Sequence, residues 1–196
     1  RADEQILGLY SQELTQFPVN ITDVDDSFFS VIKKDSPGRI YIGVTSACAS
    51  SGTYMLQGVA AALLQSIKDK EISKYDDKDI DPFSTLVCYF NNLRELSGAT
   101  ILLQEDVQQT MRGFAKRRNE QLTKFAGSDE LTSRLNQTEL SSKLEQLKKT
   151  INQNDHIGIL LASVMISVGL DIPRLGLMLV NGQPKQLSLR ELLENF

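Results

Sequence analysis

Metal ligands are scarce in this 196-residue sequence, which has one histidine and two cysteines. Cys48 and Cys88 have no CxxC spacing, and His156 is the lone imidazole. Structural zinc sites need four such ligands at characteristic spacings, so no metal site is predicted. Both cysteines lie in or beside apolar runs, and we expect them to be small buried hydrophobic residues.

Long apolar runs and a surplus of positive charge are also missing. No stretch approaches the roughly 18 apolar residues of a membrane span. The first ten residues have no signal-peptide pattern, and a cytoplasmic protein without membrane contacts is expected. The net charge of −4 argues against a uniformly basic surface that coats nucleic acid. A local cluster of Lys and Arg could still bind phosphates.

Four short apolar runs predict buried strands: Ile40–Val44, Leu86–Phe90, Ile157–Ala162 and Leu175–Val180. Their residues are apolar at consecutive positions, which is typical of strands covered on both faces in parallel sheets. A fifth run, Ala99–Leu103, continues into polar sequence and is better assigned to a helix.

Amphipathic helices are predicted between these runs, at Tyr54–Lys70, Leu93–Asn119 and Thr138–Thr150, with breaks near Gly98 and Gly113 left open. Alternating strands and helices predict a three-layer α/β fold with a mostly parallel sheet flanked by helices. The charged segment Asp69–Asp81 and the segment Ala126–Glu130 are predicted to be exposed loops.

The stretch Ile157–Lys185 carries the most chemical information. A strand ends at Ala162, and the loop that follows carries Ser163, Gly169 and Asp171. Such a loop can offer a hydroxyl and backbone N–H groups to a phosphate, and a carboxylate to a ribose or a cation. Ligands of open parallel sheets bind outside the carboxyl ends of the strands, where this loop would lie.

The sequence ASVMISVGLDI, which starts at Ala162, resembles helicase motif V. That pattern is Ala-Thr, five variable positions and Gly-aliphatic-Asp-aliphatic, and Ser163 here replaces the usual Thr. The resemblance implies that Ser163 contacts a backbone phosphate of a bound strand. It also implies that Gly169 and Asp171 contact the ribose of ATP and couple the two ligands.

Two further stretches resemble neighbouring helicase motifs. TLVCYFNNLRELSGA is similar to motif IV, with Phe90 as its aromatic residue and Asn91 and Asn92 as polar groups at a helix start. DELTSRLNQTELSSKLEQL resembles the region before motif V, a short strand, a polar turn and a helix. The resemblance implies that Thr132, Ser133 and Arg134 face the nucleic acid.

These matches identify the sequence as similar to the second RecA-like domain of superfamily 2 helicases. The sequence MISVGLDIPRLGLMLVNGQPK resembles, more narrowly, the DISARM-type antiphage defence helicases. The implied partners are single-stranded nucleic acid, with DNA favoured over RNA, other defence-system proteins and a first RecA-like domain. ATP with Mg²⁺ would bind only together with that first domain. Residues 1–36 would be a lead-in segment that packs on a domain formed by residues 37–196.

Motifs that carry ATP hydrolysis are not found in the sequence. There is no Walker A lysine and no Asp-Glu-x-His motif, so the chain alone is expected to be inactive as an ATPase. The residues after about 185 depart from motif VI, and a truncated or altered end of the domain is expected. The alternative is a non-catalytic remnant or nucleic-acid-binding module that keeps the fold without motor activity.

Two other stretches leave alternatives open. The serine- and glycine-rich segment Val44–Thr53 would face nucleic acid or merely link two elements. The basic run that contains Arg112, Lys116, Arg117 and Arg118 would bind phosphates or, as such runs usually do, form a solvated helix face.

Overall fold

The computed structural model of the chain describes residues 2–13, 35, 38–45, 47, 51–163 and 172–183. The chain divides into two compact units, Arg1–Val44 and Thr45–Phe196. The boundary expected after residue 36 thus lies within the first unit.

The first unit contains helix α1 (Ala2–Tyr10) and the apolar run Ile40–Val44. The prediction of a buried strand for this run is wrong. No strand forms here, and the side chain of Ile40 is 86% exposed. Apolar residues favour a strand only where a neighbouring strand and a covering layer are available.

The second unit contains helices and strands, and one short helix, Asp77–Ile80, lies in the segment Asp69–Asp81 that was predicted to be an exposed loop. Its elements are α2 (Gly52–Ser66), α3 (Asp77–Ile80), β1 (Leu86–Phe90), α4 (Leu93–Ile101), α5 (Val107–Arg118), β2 (Ser128–Leu131), α6 (Gln137–Leu147), β3 (Ile159–Ala162) and β4 (Leu177–Asn181). Short 3₁₀ turns occupy Ile72–Lys74 and Asp81–Phe83, and a π-helical turn, Leu102–Asp106, joins α4 to α5.

The four strands form one parallel sheet in the order β2-β3-β1-β4. The chain moves one way across the sheet from β1 to β2 and the other way from β2 to β3. Because both crossover connections have the same handedness, the helices of the first connection and those of the second lie on opposite faces of the sheet. This is the predicted three-layer α/β architecture, with a sheet that is parallel throughout the described strands.

Alternate residues of each central strand enter two separate hydrophobic cores. On one face, Leu86, Cys88 and Phe90 pack with α2, α4 and α5. On the other face, Val87 and Leu160 pack against Leu147 of α6. Because β1 and β3 contribute to both cores, their residues are apolar at every position, which explains the consecutive apolar runs.

Several boundaries differ from the prediction. The helical region Leu93–Arg118 does not break at Gly98 or Gly113, and its only irregularity is the π-helical turn. The segment Ala126–Glu130, predicted as a loop, enters β2 at Ser128. Asp81, at the end of a segment predicted to be exposed, is instead 8% exposed. No helix among the described residues is long and apolar enough to cross a membrane.

Candidate nucleic-acid interface

The carboxyl edge of the sheet brings together polar residues from three neighbouring strands. Ala162 of β3 pairs with Tyr89 of β1 and with Leu131 of β2. The residues that follow these strands therefore leave the sheet at one edge, about 4.8 Å apart from strand to strand. Ser163, Asn91 and Thr132–Arg134 are brought to this edge.

Ser163 occupies the middle of this edge. Its backbone N–H donates to the carbonyl oxygen of Leu131 at 3.4 Å, which extends the ladder between β2 and β3 by one residue. The residue is 5% exposed. The sheet thus fixes the position of its backbone. Gly169 and Asp171, the residues implied to contact ATP, lie outside the described residues.

The two asparagines after β1 differ in their contacts. Asn91 Nδ2 donates to the carbonyl oxygen of Asn181 at 3.3 Å, which ties the end of β1 to the end of β4. Asn92 caps α4: its side-chain oxygen accepts from the backbone N–H of Glu95 at 2.9 Å, and its Nδ2 donates to the Glu95 carboxylate at 2.6 Å. The carboxylate of Glu95 places negative charge at this helix end and disfavours an anion there.

The turn after β2 offers one buried and two exposed residues. Thr132 is 3% exposed, and its carbonyl oxygen accepts from Leu135 N at 3.2 Å, which closes the turn. Ser133 and Arg134 are exposed at the same turn. Asn136 then starts α6 with a reciprocal capping box to Glu139. Arg134 is thus an accessible cation on a turn that is anchored at both ends.

Phe90 lies beneath the edge and not on it. Its side chain is 0% exposed and belongs to the core that β1 forms with α2, α4 and α5. A base can stack only on a ring with an accessible face. In this conformation Phe90 supports the strand end by packing.

Sequence reasoning missed a buried polar network at the opposite, amino-terminal edge of the sheet. Arg174, just before β4, is its centre. Arg174 Nε donates to Asp81 Oδ2 at 2.9 Å, and Nη2 lies 3.2 Å from Asp81 Oδ1 and 2.9 Å from Ser84 Oγ. Nη1 donates to Thr85 Oγ1 at 3.1 Å and to the carbonyl oxygen of Leu147 at 2.9 Å. The Arg174 and Asp81 side chains are 12% and 11% exposed.

His156, just before β3, completes the network. Its Nε2 lies 3.0 Å from Ser84 Oγ, 3.1 Å from Thr85 Oγ1 and 3.2 Å from Arg174 Nη2. Because a guanidinium can only donate, a hydrogen bond from Arg174 Nη2 to Nε2 requires a neutral ring with its proton on Nδ1. The network thus clamps the starts of β1, β3 and β4 to one another.

Two pKa shifts follow from this arrangement. Burial of His156, together with the charge of Arg174, lowers the pKa of its imidazole to about 4. Burial alone would raise the pKa of Asp81, but hydrogen bonds from Arg174 and from Ile151 N hold that pKa below its usual value. At neutral pH the network therefore contains one ion pair and a neutral histidine.

The Ser84, His156 and Asp81 side chains do not form a hydrolytic triad. In such triads the carboxylate orients the imidazole through Nδ1, whereas Asp81 is engaged by Arg174 and Ile151 N. Ser84 and His156 are also only 4% and 6% exposed, which leaves no access for a substrate. The network has a structural role.

The other side chains that could bind a metal ion or react with a substrate form no site among the described residues. Burial raises the pKa of Cys88 to about 12, as expected for a buried cysteine, whereas Cys48 lies outside the described residues. Within the described ranges, no group of three His, Cys, Asp or Glu side chains could hold a metal ion. Ser51, in the serine-rich segment before α2, caps that helix by accepting from Tyr54 N at 3.1 Å.

Three residues of the basic run, Lys116, Arg117 and Arg118, lie in the last turn of α5. Cations there interact favourably with the helix C-terminus. The guanidinium carbons of Arg117 and Arg118 lie 5.0 and 5.5 Å from the ring centre of Phe114. These contacts give Arg117 and Arg118 a structural role that needs no nucleic acid.

Comparison with known proteins gives one informative similarity. No protein-family model matches the chain. The chain is 40% identical over 195 residues to the DISARM protein DrmA of Bacillus paralicheniformis (strain ATCC 9945a / NCIMB 11709 / CD-2). That alignment covers 95% of this chain but 17% of the Bacillus protein, so the chain corresponds to a small part of its relative.

Proposed function

We propose that this chain is the second RecA-like half of an ATP-dependent superfamily 2 helicase or translocase that acts in antiphage defence. The observation that carries the proposal is the convergence of Ser163, Asn91 and the Thr132–Arg134 turn at one edge of a parallel sheet. Ligands of such sheets bind beyond the carboxyl ends of the strands. The similarity to DrmA supports the defence context.

The carboxyl edge would contact the phosphodiester backbone of a single strand, with DNA favoured over RNA. Ser163 would supply a hydroxyl, and Arg134 an accessible positive charge, to neighbouring phosphates. Gly169 and Asp171 would complete an ATP site with Mg²⁺, in a cleft formed with a first RecA-like domain. Opening and closing of that cleft would move the strand. Other proteins of the defence system would be further partners.

Binding of a labelled single-stranded oligonucleotide, followed by fluorescence anisotropy over a salt series, tests this proposal. The chain should bind with an affinity that falls as salt rises, because phosphate contacts release counterions. Ser163→Ala should weaken binding by roughly 3- to 10-fold, the effect of one lost hydrogen bond. The same samples, supplied with ATP and Mg²⁺, should release no phosphate above background, because the sequence has no Walker A lysine.

Ser142→Ala is the matched control, because Ser142 is an exposed serine in α6 away from the strand ends. It should leave the affinity unchanged. The proposal would be contradicted if the chain bound no single strand, or if the two alanine variants lost affinity equally.

A further inference from the structure

Strand β2, which leads into the Thr132–Arg134 turn, is the shorter of the two edge strands in the described sheet. It has four residues, and among the described strands only β3 pairs with it. Its middle residues are the carboxylates Asp129 and Glu130, whose side chains point to opposite faces because neighbouring residues of a strand alternate. Since the backbone ladder holds this strand on one side only, side-chain contacts decide how firmly the turn after it is held.

Each carboxylate contacts the helix that packs on its own face of the sheet. Asp129 forms an ion pair with Lys143 of α6, and the two side chains are 30% and 19% exposed. On the other face, the Thr100 hydroxyl of α4 donates to Glu130 Oε1 at 2.9 Å. Asp129 Oδ1 also accepts from the backbone N–H of Glu130 at 2.8 Å. Side-chain contacts on both faces therefore hold β2 between α6 and α4.

The Asp129–Lys143 ion pair encloses the turn that carries Arg134. Asp129 precedes this turn by three residues, and Lys143 follows it in the second turn of α6, which begins at Gln137. The ion pair thus joins the strand before the turn to the helix after it. The Arg134 side chain is exposed, so the backbone of the turn sets the region that its charge can reach.

We propose that Asp129 and Lys143 are positioning residues for nucleic-acid binding, an inference that rests on the proposed function. Their ion pair holds the turn at the carboxyl edge, where Arg134 meets a phosphate of the bound strand. A binding group that is already in place loses less conformational entropy when its ligand binds. Without the ion pair, the turn occupies the binding position for a smaller fraction of the time, and the affinity falls in proportion.

Asp129→Asn gives the sharpest test, because positioning and simple electrostatics predict opposite signs for it. The substitution removes a negative charge, and this alone would strengthen binding to an anionic strand. We expect binding of a labelled single-stranded oligonucleotide, followed by fluorescence anisotropy, to weaken by about 3- to 5-fold instead. Lys143→Gln should weaken it to a similar extent. Asp129→Glu keeps the carboxylate and should bind within about twofold of the wild type.

Asp155→Asn is the matched control. It also removes an aspartate that pairs with a lysine, Lys149, but it lies just before β3, at the opposite end of the sheet. The change in net charge is the same as in Asp129→Asn, and binding should not weaken. In an Arg134→Ala background, Asp129→Asn should have no further effect, because it acts through that arginine.

Amide hydrogen exchange gives a second measurement, which does not depend on nucleic acid. The N–H of Leu135 closes the turn by donating to Thr132 O at 3.2 Å. It should exchange faster in Asp129→Asn and at the wild-type rate in Asp155→Asn.

Three results would overturn the positioning role and leave the proposed function standing. They are an affinity of Asp129→Asn at or above that of the wild type, an undiminished loss in the Arg134→Ala background, and unchanged exchange at Leu135. A different result would contradict the proposed function, and the positioning role with it: Arg134→Ala that binds the oligonucleotide as tightly as the wild type.

Discussion

Arg174→Met is expected to lower the free energy of unfolding by about 3 to 5 kcal/mol, the range seen when one member of a buried ion pair is removed. The substitution leaves the Asp81 carboxylate buried without its cation. It also removes the donor to Thr85 Oγ1 and to the Leu147 carbonyl oxygen. Urea unfolding followed by circular dichroism measures the change as a lower midpoint.

Arg118→Met provides the matched control for this substitution. Arg118 is exposed, and its guanidinium carbon lies 5.5 Å from the centre of the Phe114 ring. An exposed contact of this kind is worth less than about 1 kcal/mol. If the two methionine variants had the same unfolding midpoint, the amino-terminal network would not be an important source of stability.

Stability is expected to fall by about 2 kcal/mol between pH 7 and pH 4.5 because of His156 alone. The unfolded imidazole takes up a proton near pH 6.5, whereas burial in the folded chain delays protonation until about pH 4. Below pH 6.5 the unfolded state therefore binds more protons, and the folded state loses its advantage as pH falls through this window. The Asp81 contribution is lost only below this window, because its pKa is lowered.

Urea unfolding of the wild type and of His156→Gln at pH intervals from 7 to 4.5 measures this effect. The glutamine variant keeps polar atoms at the site but lacks the imidazole that titrates between pH 7 and pH 4.5, so its stability should vary less across the window. The quantity to compare is the change in unfolding free energy with pH, and not the absolute stability of the variant. Equal slopes for the two proteins would show that His156 is not buried in its neutral form.

The central sheet could be predicted from the sequence because burial on both faces leaves a direct pattern. Leu86–Phe90 is apolar at five consecutive positions, and it forms the strand with those bounds. The run Ile40–Val44 has the same pattern without forming a strand. Apolarity reports that a segment can be buried, but pairing depends on neighbours that are distant in sequence.

Some of the residues at the carboxyl edge could be predicted from the sequence. The buried network at the amino-terminal edge was not predicted. Parallel strands bring the residues after each strand to one edge, where Ser163, Asn91 and Thr132 lie. The resemblance to helicase motifs had singled out the same three residues. The same logic applies to residues before each strand, where Thr85, His156 and Arg174 stand. The burial of Asp81 was not predicted, because Asp81 ends a run of charged residues whose composition is typical of an exposed loop. Its burial depends on Arg174, which is 93 positions away.

Reversing the charge of one arginine at the carboxyl edge, and of one arginine away from it, tests most directly whether nucleic acid binds at that edge. Arg134→Glu alters the exposed turn after β2, whereas Arg118→Glu alters the last turn of α5. Anisotropy titrations of a single-stranded oligonucleotide over a salt series would compare both variants with the wild type. We predict that Arg134→Glu weakens binding at least about tenfold, while Arg118→Glu has little effect. Arg134→Glu should also reduce the slope of log affinity against log salt concentration by about one, the value for one lost phosphate contact. The reverse order, or equal losses, would contradict the assignment of the carboxyl edge as the nucleic-acid interface.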